Sequence, residues 1–300
     1  MACSGGADSA ALVLALADRP IEVAHVVHDL RPEPEALADR DAVRVLAESL
    51  GVPFCEARVC VRELAGNLEA NAADARYQAL QQLAQDRGIP FIATAHHAND
   101  QLETLLLRLA RGAGVSGMRG IAPVRRLGSV RVVRPLLEVG RASCRAFCRE
   151  CGFDWREDAT NADLSRARSA IRHTVLPALL EAEPRALKGA GKTARQMRLA
   201  TGALEAQCAR VLADATRVGG SYAWNRRALV DEPVAVVGGA LREAATEIMG
   251  GRFADARGSD TVGAVTRAIF DGGLHAKRFA WRGLTVTVDR QTVRIERNTP

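Results

Sequence analysis

Short apolar runs alternate with longer amphipathic stretches along the first half of this chain. Ile21–His28, Val52–Arg58, Ile89–His96 and Val130–Pro135 read as strands. Asp8–Ala17, Glu35–Leu50, Leu68–Arg87, Asp100–Arg111 and Arg141–Cys151 repeat their apolar residues at helical spacing. This alternation predicts an α/β fold, a parallel sheet with helices on both faces that binds ligands at the carboxyl ends of its strands. From about Thr174 to Arg217 the pattern turns helical and basic. Beyond Gly219-Gly220 the expected elements are a strand at Tyr222–Asn225, helices at Val234–Met249 and Thr261–Phe270, and a meander of Arg278–Trp281, Leu284–Val288 and Thr292–Glu296. The organisation expected is a catalytic α/β domain over 1–177, a basic helical linker over 178–217 and a small α+β domain over 218–300.

Composition narrows the class. With 300 residues and 48% hydrophobic content the chain supports about two domains with real cores. No window is apolar enough to span a membrane and no signal-like segment opens the sequence, so a cytoplasmic protein is expected. Seven cysteines in no regular framework point to reduced thiols. The net charge of +6 is unevenly placed, with +5 falling between residues 161 and 200. A basic stripe of that kind suits a polyphosphate partner, or is simply a solvated helix face.

The first candidate for chemistry is Ser4-Gly5-Gly6-Ala7-Asp8-Ser9, which opens a helical pattern. Two glycines allow a tight turn, and the following helix start offers amide N–H groups to an anion. No Walker lysine and no G-x-G-x-x-G spacing is present, so neither the NTPase P-loop nor the dinucleotide fingerprint applies. Gly-Gly alone would be an ordinary turn; all the specified positions at a helix start favour a phosphate cradle. Only Met1–Cys3 precede it, which is short for the strand such a loop follows. A natural start upstream with a Val/Ile/Leu-rich run is therefore expected, with the chain as given only marginally stable.

The second candidate is the segment 94–104, running from a strand end into a helix. Asp100 and Glu103 share one helical face and His96 precedes them at the strand tip, a constellation suited to Mg²⁺ or a substrate ammonium. The competing reading is a capped helix with two first-turn acids.

Taken in order, SGGADS, His-Asp-Leu-Arg-Pro-Glu at 28–33, Asn-Leu-Glu-Ala at 67–70, Ala-Arg-Tyr at 75–77 and the long run at 96–114 resemble the motifs of the tRNA(Ile)-lysidine synthase family. Arg-Pro-Leu-Leu-Glu at 134–138, Trp-Arg-Glu-Asp-Ala-Thr-Asn at 155–161 and Arg-Ser-Ala-Ile-Arg-His at 168–173 extend the likeness to about residue 180. The resemblance implies a parallel-sheet PP-loop domain, of the adenine nucleotide alpha hydrolase-like kind, and ATP-dependent ligation of L-lysine to the wobble cytidine of a CAU-anticodon tRNA(Ile). It further implies ATP held by Ser4, Gly5, Gly6, Ala7, Asp8, Ser9 and Arg76, and Mg²⁺ at Asp8 and Asp100. Lysine would meet Asp100 and Glu103, with Asp8, His96, Asp100 and Arg168 as catalytic residues. Arg185, Lys188, Lys192 and Arg195 are expected to contact tRNA, and a homodimer stays open.

The chain departs from the family pattern at Ala73, at Ser169, at Asn99, which weakens one possible metal ligand, and at Val27–Arg31, where the acid is displaced to Asp29. Asn99, Val27 and Ala73 leave a non-catalytic tRNA-binding relative as one alternative. The other is a PP-loop tRNA thiolase, raised by Cys144, Cys148 and Cys151. Their spacing places the three on one helical face, where core packing competes with a cluster site and is preferred.

Overall fold

Strand β1, Val23–His28, is buried at every position but its last, as a parallel strand covered on both faces must be. It pairs in parallel with β2, Phe54–Val59. On its other side Ala24 N donates to Met1 O at 2.7 Å, Cys3 N to Ala24 O at 2.9 Å, and Ala2 N to Ala93 O at 2.9 Å. Residues 1–3 thereby fill the place between β1 and β3, Phe91–Ala93, that a strand leading into the glycine turn would take. Strand β3 pairs in parallel with β5, Val130–Val133, and β4, Val124–Leu127, lies antiparallel on β5 at the edge. The order is therefore β2-β1-(1–3)-β3-β5-β4. The strand expected to run to His96 ends at Ala93, because the next residues turn into a helix.

This computed structural model describes residues 1–300 except 31, 67, 156–166, 252–258, 272, 274 and 299–300. The chain forms two compact units, Met1–Met197 and Arg198–Pro300.

In the first unit, helices α1 (Ala7–Ala15), α2 (Glu33–Ser49) and, later in the chain, α5 (Arg141–Glu150) cover one face of the sheet. Their core includes Ala10, Val43, Cys144 and Cys148 around Cys3 and Val23. On the opposite face α3, Leu68–Asp86, packs Leu80 and Ala84 against Val26, Ile92 and Val132. Helix α4, Ala98–Ala110, buries Leu102 and Leu105 against a later helical segment. That segment comprises α6 (Ala167–Ala170), a π turn at Ile171–Val175 and α7 (Leu176–Ala182).

The segment 178–217 is divided between the units. Helix α8, Ala186–Ala213, buries Ala190 and Ala194 with Leu102 and Leu105 in the first unit, while Cys208 and Val211 belong to the core of the second.

The second unit is a five-stranded antiparallel sheet in the order β6-β7-β10-β9-β8. Its strands are β6 (Thr216–Val218), β7 (Ser221–Asn225), β8 (Lys277–Trp281), β9 (Leu284–Val288) and β10 (Thr292–Arg297). The alternation of Leu284, Val286 and Val288 buries every second side chain of β9. Asp289 forms the hairpin turn between β9 and β10 by accepting from Gln291 N and Thr292 N at 2.8 and 2.7 Å. Helices α9 (Arg226–Val230), α10 (Val234–Ile248) and α11 (Ser259–Phe270) complete the unit. Within α10, a Cβ on Gly239 would run into Cys208 Sγ and one on Gly238 would lie 3.2 Å from Val262. The pair of glycines is what lets α8 and α11 approach α10 this closely.

Arg226, invisible to any sequence pattern, holds this unit together. Its buried guanidinium donates to Ala268 O at 2.8 Å and Ile269 O at 3.0 Å, which end α11, and also to Gly273 O and Asp289 O. Helix carbonyls left without partners are costly, and a cation at that end also suits the helix dipole. Arg226→Met should lower the stability of this unit by on the order of 3–5 kcal/mol, read as an early transition in thermal unfolding.

Candidate active site

The turn that opens α1 is shaped by its own residues. Gly5 takes φ +89°, open to glycine at little cost. Ser9 Oγ accepts from Ser4 N at 3.1 Å and donates to Gly6 O at 2.9 Å, and Ser4 Oγ lies 3.2 Å from it. With its proton committed to Gly6 O, the Ser9 hydroxyl accepts from Ser4 Oγ and fixes the loop, and the remaining backbone amides of the turn are left for a ligand. Gly6 caps α1 without a side-chain bond, so the first-turn N–H groups point into the cleft uncapped.

That cleft, of about 620 Å³, is lined by the Ser4–Ser9 loop together with Arg76, His96, Asp100 and Arg168. Every candidate for nucleotide binding or catalysis thus lies on one surface. Glu103 sits behind it, fully buried. Arg185, Lys188, Lys192 and Arg195 lie elsewhere, on an exposed stretch whose opposite side carries Ala190 and Ala194. The 155–161 motif falls outside the described residues but for Trp155, which lines the cleft, and Asn67 and Arg31 also fall outside.

Asp8 stands in the first turn of α1. Its Oδ2 is 3.3 Å from His97 Nε2 and 3.7 Å from Arg141 Nε, while its buried Oδ1 has no hydrogen-bond partner among the described residues. His97 caps α4: its Nδ1 accepts from Asp100 N at 3.3 Å, and its own N–H donates to Asp100 Oδ2 at 3.0 Å. An accepting Nδ1 leaves the ring proton on Nε2, directed at Asp8. Sequence reasoning singled out His96 and passed over His97, although the adjacent pair was the available signal.

Asp100 and Glu103 do share a face, and two cations already occupy it. Arg172 donates through Nε to Glu103 Oε1 at 2.7 Å, and through one terminal nitrogen to Glu103 Oε2 at 2.9 Å and Asp100 Oδ1 at 3.2 Å. Arg168 Nε donates to Glu103 Oε2 at 3.1 Å. The Glu103 carboxylate in turn holds the Arg172 guanidinium more firmly charged than usual. Arg172 falls within the 168–173 motif but was given no role in the site; its i, i+4 spacing from Arg168 was the missed clue.

His96 lies between these groups, with Nδ1 3.0 Å from Thr94 Oγ1. Burial pushes its pKa down to about 4, and Arg134, Arg76 and Arg168 press the same way against Asp100. The ring is neutral at pH 7 and keeps Nε2 for a ligand. Since the native value lies below that of the unfolded chain, falling pH protonates the unfolded state first. His96 therefore contributes stability that is intact above about pH 6.5 and lost toward pH 4, at most about 3 kcal/mol. In urea unfolding, the loss of midpoint between pH 6.5 and 4.5 should be smaller in His96→Asn than in the parent.

Two departures have structural roles. Asn99 Oδ1 accepts from Arg141 N at 2.9 Å, capping α5, so this position ties two helices that flank Asp8. Asp29 accepts from Val61 N at 2.8 Å and Arg62 N at 3.2 Å, joining the ends of β1 and β2. Cys144 and Cys148 point into the core, with thiols pushed up to about 11 by burial, and Cys148 Sγ donates to Ala7 O at 3.3 Å. These are packing residues, and among the described residues no three His, Cys, Asp or Glu side chains assemble as a metal site.

A parallel sheet with a Gly-Gly turn feeding a helix N-terminus, facing a carboxylate pair at the next strand tip, defines a PP-loop ATP-binding domain. The PP-loop domain family matches residues 1–179. The chain is 41% identical over 229 residues to a tRNA(Ile)-lysidine synthase of Bordetella bronchiseptica, covering 72% of this chain and 63% of that one. It is 43% identical to the enzyme of that name from Salinispora arenicola, covering 69% and 64%, and 40% identical to that from Thermus thermophilus, covering 81% and 47%. The chain belongs to the tRNA(Ile)-lysidine synthase family. Its match spans about half to two thirds of the length of these relatives. The fold alone is shared with the U34-tRNA thiolase NcsA of Methanococcus maripaludis, a structure containing a [4Fe-4S] cluster, at a TM-score of 0.56 and 14% identity over 66% of this chain and 71% of that one.

Proposed function

We propose that this chain is a cytoplasmic ligase that joins L-lysine to C2 of the wobble cytidine in tRNA(Ile) with a CAU anticodon. In the first step the cytidine O2 attacks the α-phosphorus of ATP and pyrophosphate leaves. In the second the lysine amine attacks C2, the C2–O bond breaks, and AMP departs with that oxygen. The observation that carries this reading is an uncapped helix N-terminus that shares one cleft with Asp100, behind which buried Glu103 joins it in holding two guanidinium groups. The helix N-terminus suits an anionic leaving group and the two carboxylates an incoming ammonium.

The Ser4–Ser9 loop would receive the pyrophosphate through its amides, pre-set by the Ser9 hydroxyl, with Arg76 adding charge from α3. The donor set fits Mg²⁺, because Asp8 Oδ1 is buried without a partner among the described residues. Asp8 and Asp100 would hold the ion, which would supply charge neutralisation for the leaving group, with phosphates and water completing its shell. Asp100 and Glu103 would bind lysine after Arg168 and Arg172 yield place. Arg168, about half exposed in its side chain, is the freer to move and is then available to the phosphate. Neutral His96 offers Nε2 to the lysine amine as it loses its proton.

Arg185, Lys188, Lys192 and Arg195 are read as tRNA contacts. Reversing all four to Glu should weaken tRNA binding and flatten its salt dependence, because fewer counterions are released. The direct test of the activity is incubation of a CAU-bearing tRNA(Ile) transcript with ATP and labelled lysine, followed by mass analysis of the nucleosides. ATP turnover with no lysine in the nucleoside pool would overturn the reading.

A further inference from the structure

The densest basic segment of the chain lies outside the site and outside α8. From Thr104 to Leu137 there are seven arginines and no aspartate or glutamate. Two are folded inward: Arg108 donates to Gly117 O at 2.6 Å and Gly120 O at 3.0 Å, and buried Arg134 donates to Ala122 O at 2.7 Å. Exposed Arg119 and Arg126 each give Nε to a nearby carbonyl, Ser116 O at 2.9 Å and Gly128 O at 3.2 Å. Arg125, Arg126 and Arg131 stand exposed on the β4–β5 hairpin at the sheet edge, and none of them is ion-paired among the described residues.

Arg126 lies directly opposite Arg131 across the ladder. Like charges so placed disfavour a sheet, and keeping one edge strand from pairing with another chain needs only a single charge. An opposed arginine pair without a carboxylate is a site for an external anion. Beside it, Phe91 pairs with Arg131 in the ladder and is half exposed, an aromatic residue one strand from Arg131 and two from Arg126. The hairpin is continuous with the cleft through Tyr77. That residue lines the cleft, its ring centroid lies 4.6 Å from the Arg125 guanidinium, and its hydroxyl is 3.5 Å from Arg134.

The geometry points to a second RNA-binding surface: the β4–β5 hairpin, through Arg125, Arg126, Arg131 and Phe91, receives the sugar–phosphate backbone of the tRNA whose target base enters the cleft. This rests on the tRNA substrate proposed above. Strand alternation puts Arg125 on one side of the edge and Arg126 with Arg131 on the other, so a strand lying along the edge is gripped from both sides. Guanidinium forks match phosphate oxygens, and an exposed ring stacks on any base.

The test uses the whole chain with arginines 125, 126 and 131 changed to Gln, surface substitutions that should leave melting and ATP affinity as in the parent. Affinity for the tRNA(Ile) transcript is measured across a salt series. Loss of three phosphate contacts should weaken binding at least tenfold near physiological salt and reduce the slope of log K against log salt by about 2–3. In the parent, tRNA should slow hydrogen exchange over Val124–Leu127 and Val130–Val133. A slope equal to the parent's, or a hairpin that exchanges as fast with tRNA as without, overturns the proposal. Equal affinity of the parent for duplex DNA, lost in parallel in the variant, would make the hairpin a general polyanion face and overturn the RNA assignment. A parent chain that turns over ATP and lysine on tRNA while the hairpin is unprotected sinks this surface alone; one that binds no tRNA sinks the proposed function with it.

Discussion

Asp8→Asn is expected to abolish adenylation nearly completely, with pyrophosphate release falling by about 10²–10³-fold while tRNA binding stays within a few-fold of the parent. The size of the effect follows from how the carboxylate is held. His97 and Arg141 both approach Oδ2, and Oδ1 is left buried without a partner among the described residues. An asparagine can satisfy His97 Nε2–H only by turning its oxygen that way, which puts an NH₂ group where Oδ1 stood. A cation is then repelled at the one atom of Asp8 free to meet it. Because the leaving group gains negative charge only as the reaction proceeds, the loss should fall on the rate more than on nucleotide affinity. The shape of the side chain is unchanged, so melting should shift little. Pyrophosphate release at the parental rate would remove Asp8 from the chemistry.

The same residue shows why parts of the site were legible in the sequence and others were not. The SGGADS turn announces itself because backbone geometry, glycine placement and helix start are all local properties. So do the buried parallel strands, whose apolar runs need no partner to be recognised. Strand β4 was missed because Val-Arg-Arg-Leu carries no alternation that favours a strand, and only pairing with β5 makes it one. His97, Arg172 and Arg226 were missed for a shared reason: each acts through contacts with residues far away in the chain. His97 Nε2 reaches Asp8, Arg172 reaches Glu103, and Arg226 reaches the end of α11. Asn99 was read as a weakened ligand because its neighbours in sequence suggested a site, whereas its amide oxygen caps a helix that begins at Arg141. Tertiary partners of polar side chains leave no period for sequence reading to find.

Glu103→Gln is expected to raise the KM for lysine by about 10–100-fold with the KM for ATP changed little, and to cost the fold about 1–3 kcal/mol. Both effects come from one charge. Glu103 is among the most buried side chains of the chain, with both oxygens accepting from guanidinium groups. A neutral amide there keeps the volume, loses one acceptor, and leaves Arg172 with Asp100 as its one carboxylate partner among the described residues. The stability cost is moderated because Arg168 and Arg172 retain some solvent, so neither becomes a fully stranded buried charge. The effect on lysine is larger because an ammonium entering the cleft exchanges hydration for the Asp100–Glu103 pair, and with Glu103 neutral it gains only half of that charge. Asp100→Asn provides the comparison, since Asp100 also accepts from His97 N and is proposed to serve the metal. That variant should raise both KM values. If Glu103→Gln raises them equally as well, Glu103 acts by holding Arg172 and Arg168 in place, and the ammonium is bound elsewhere in the cleft.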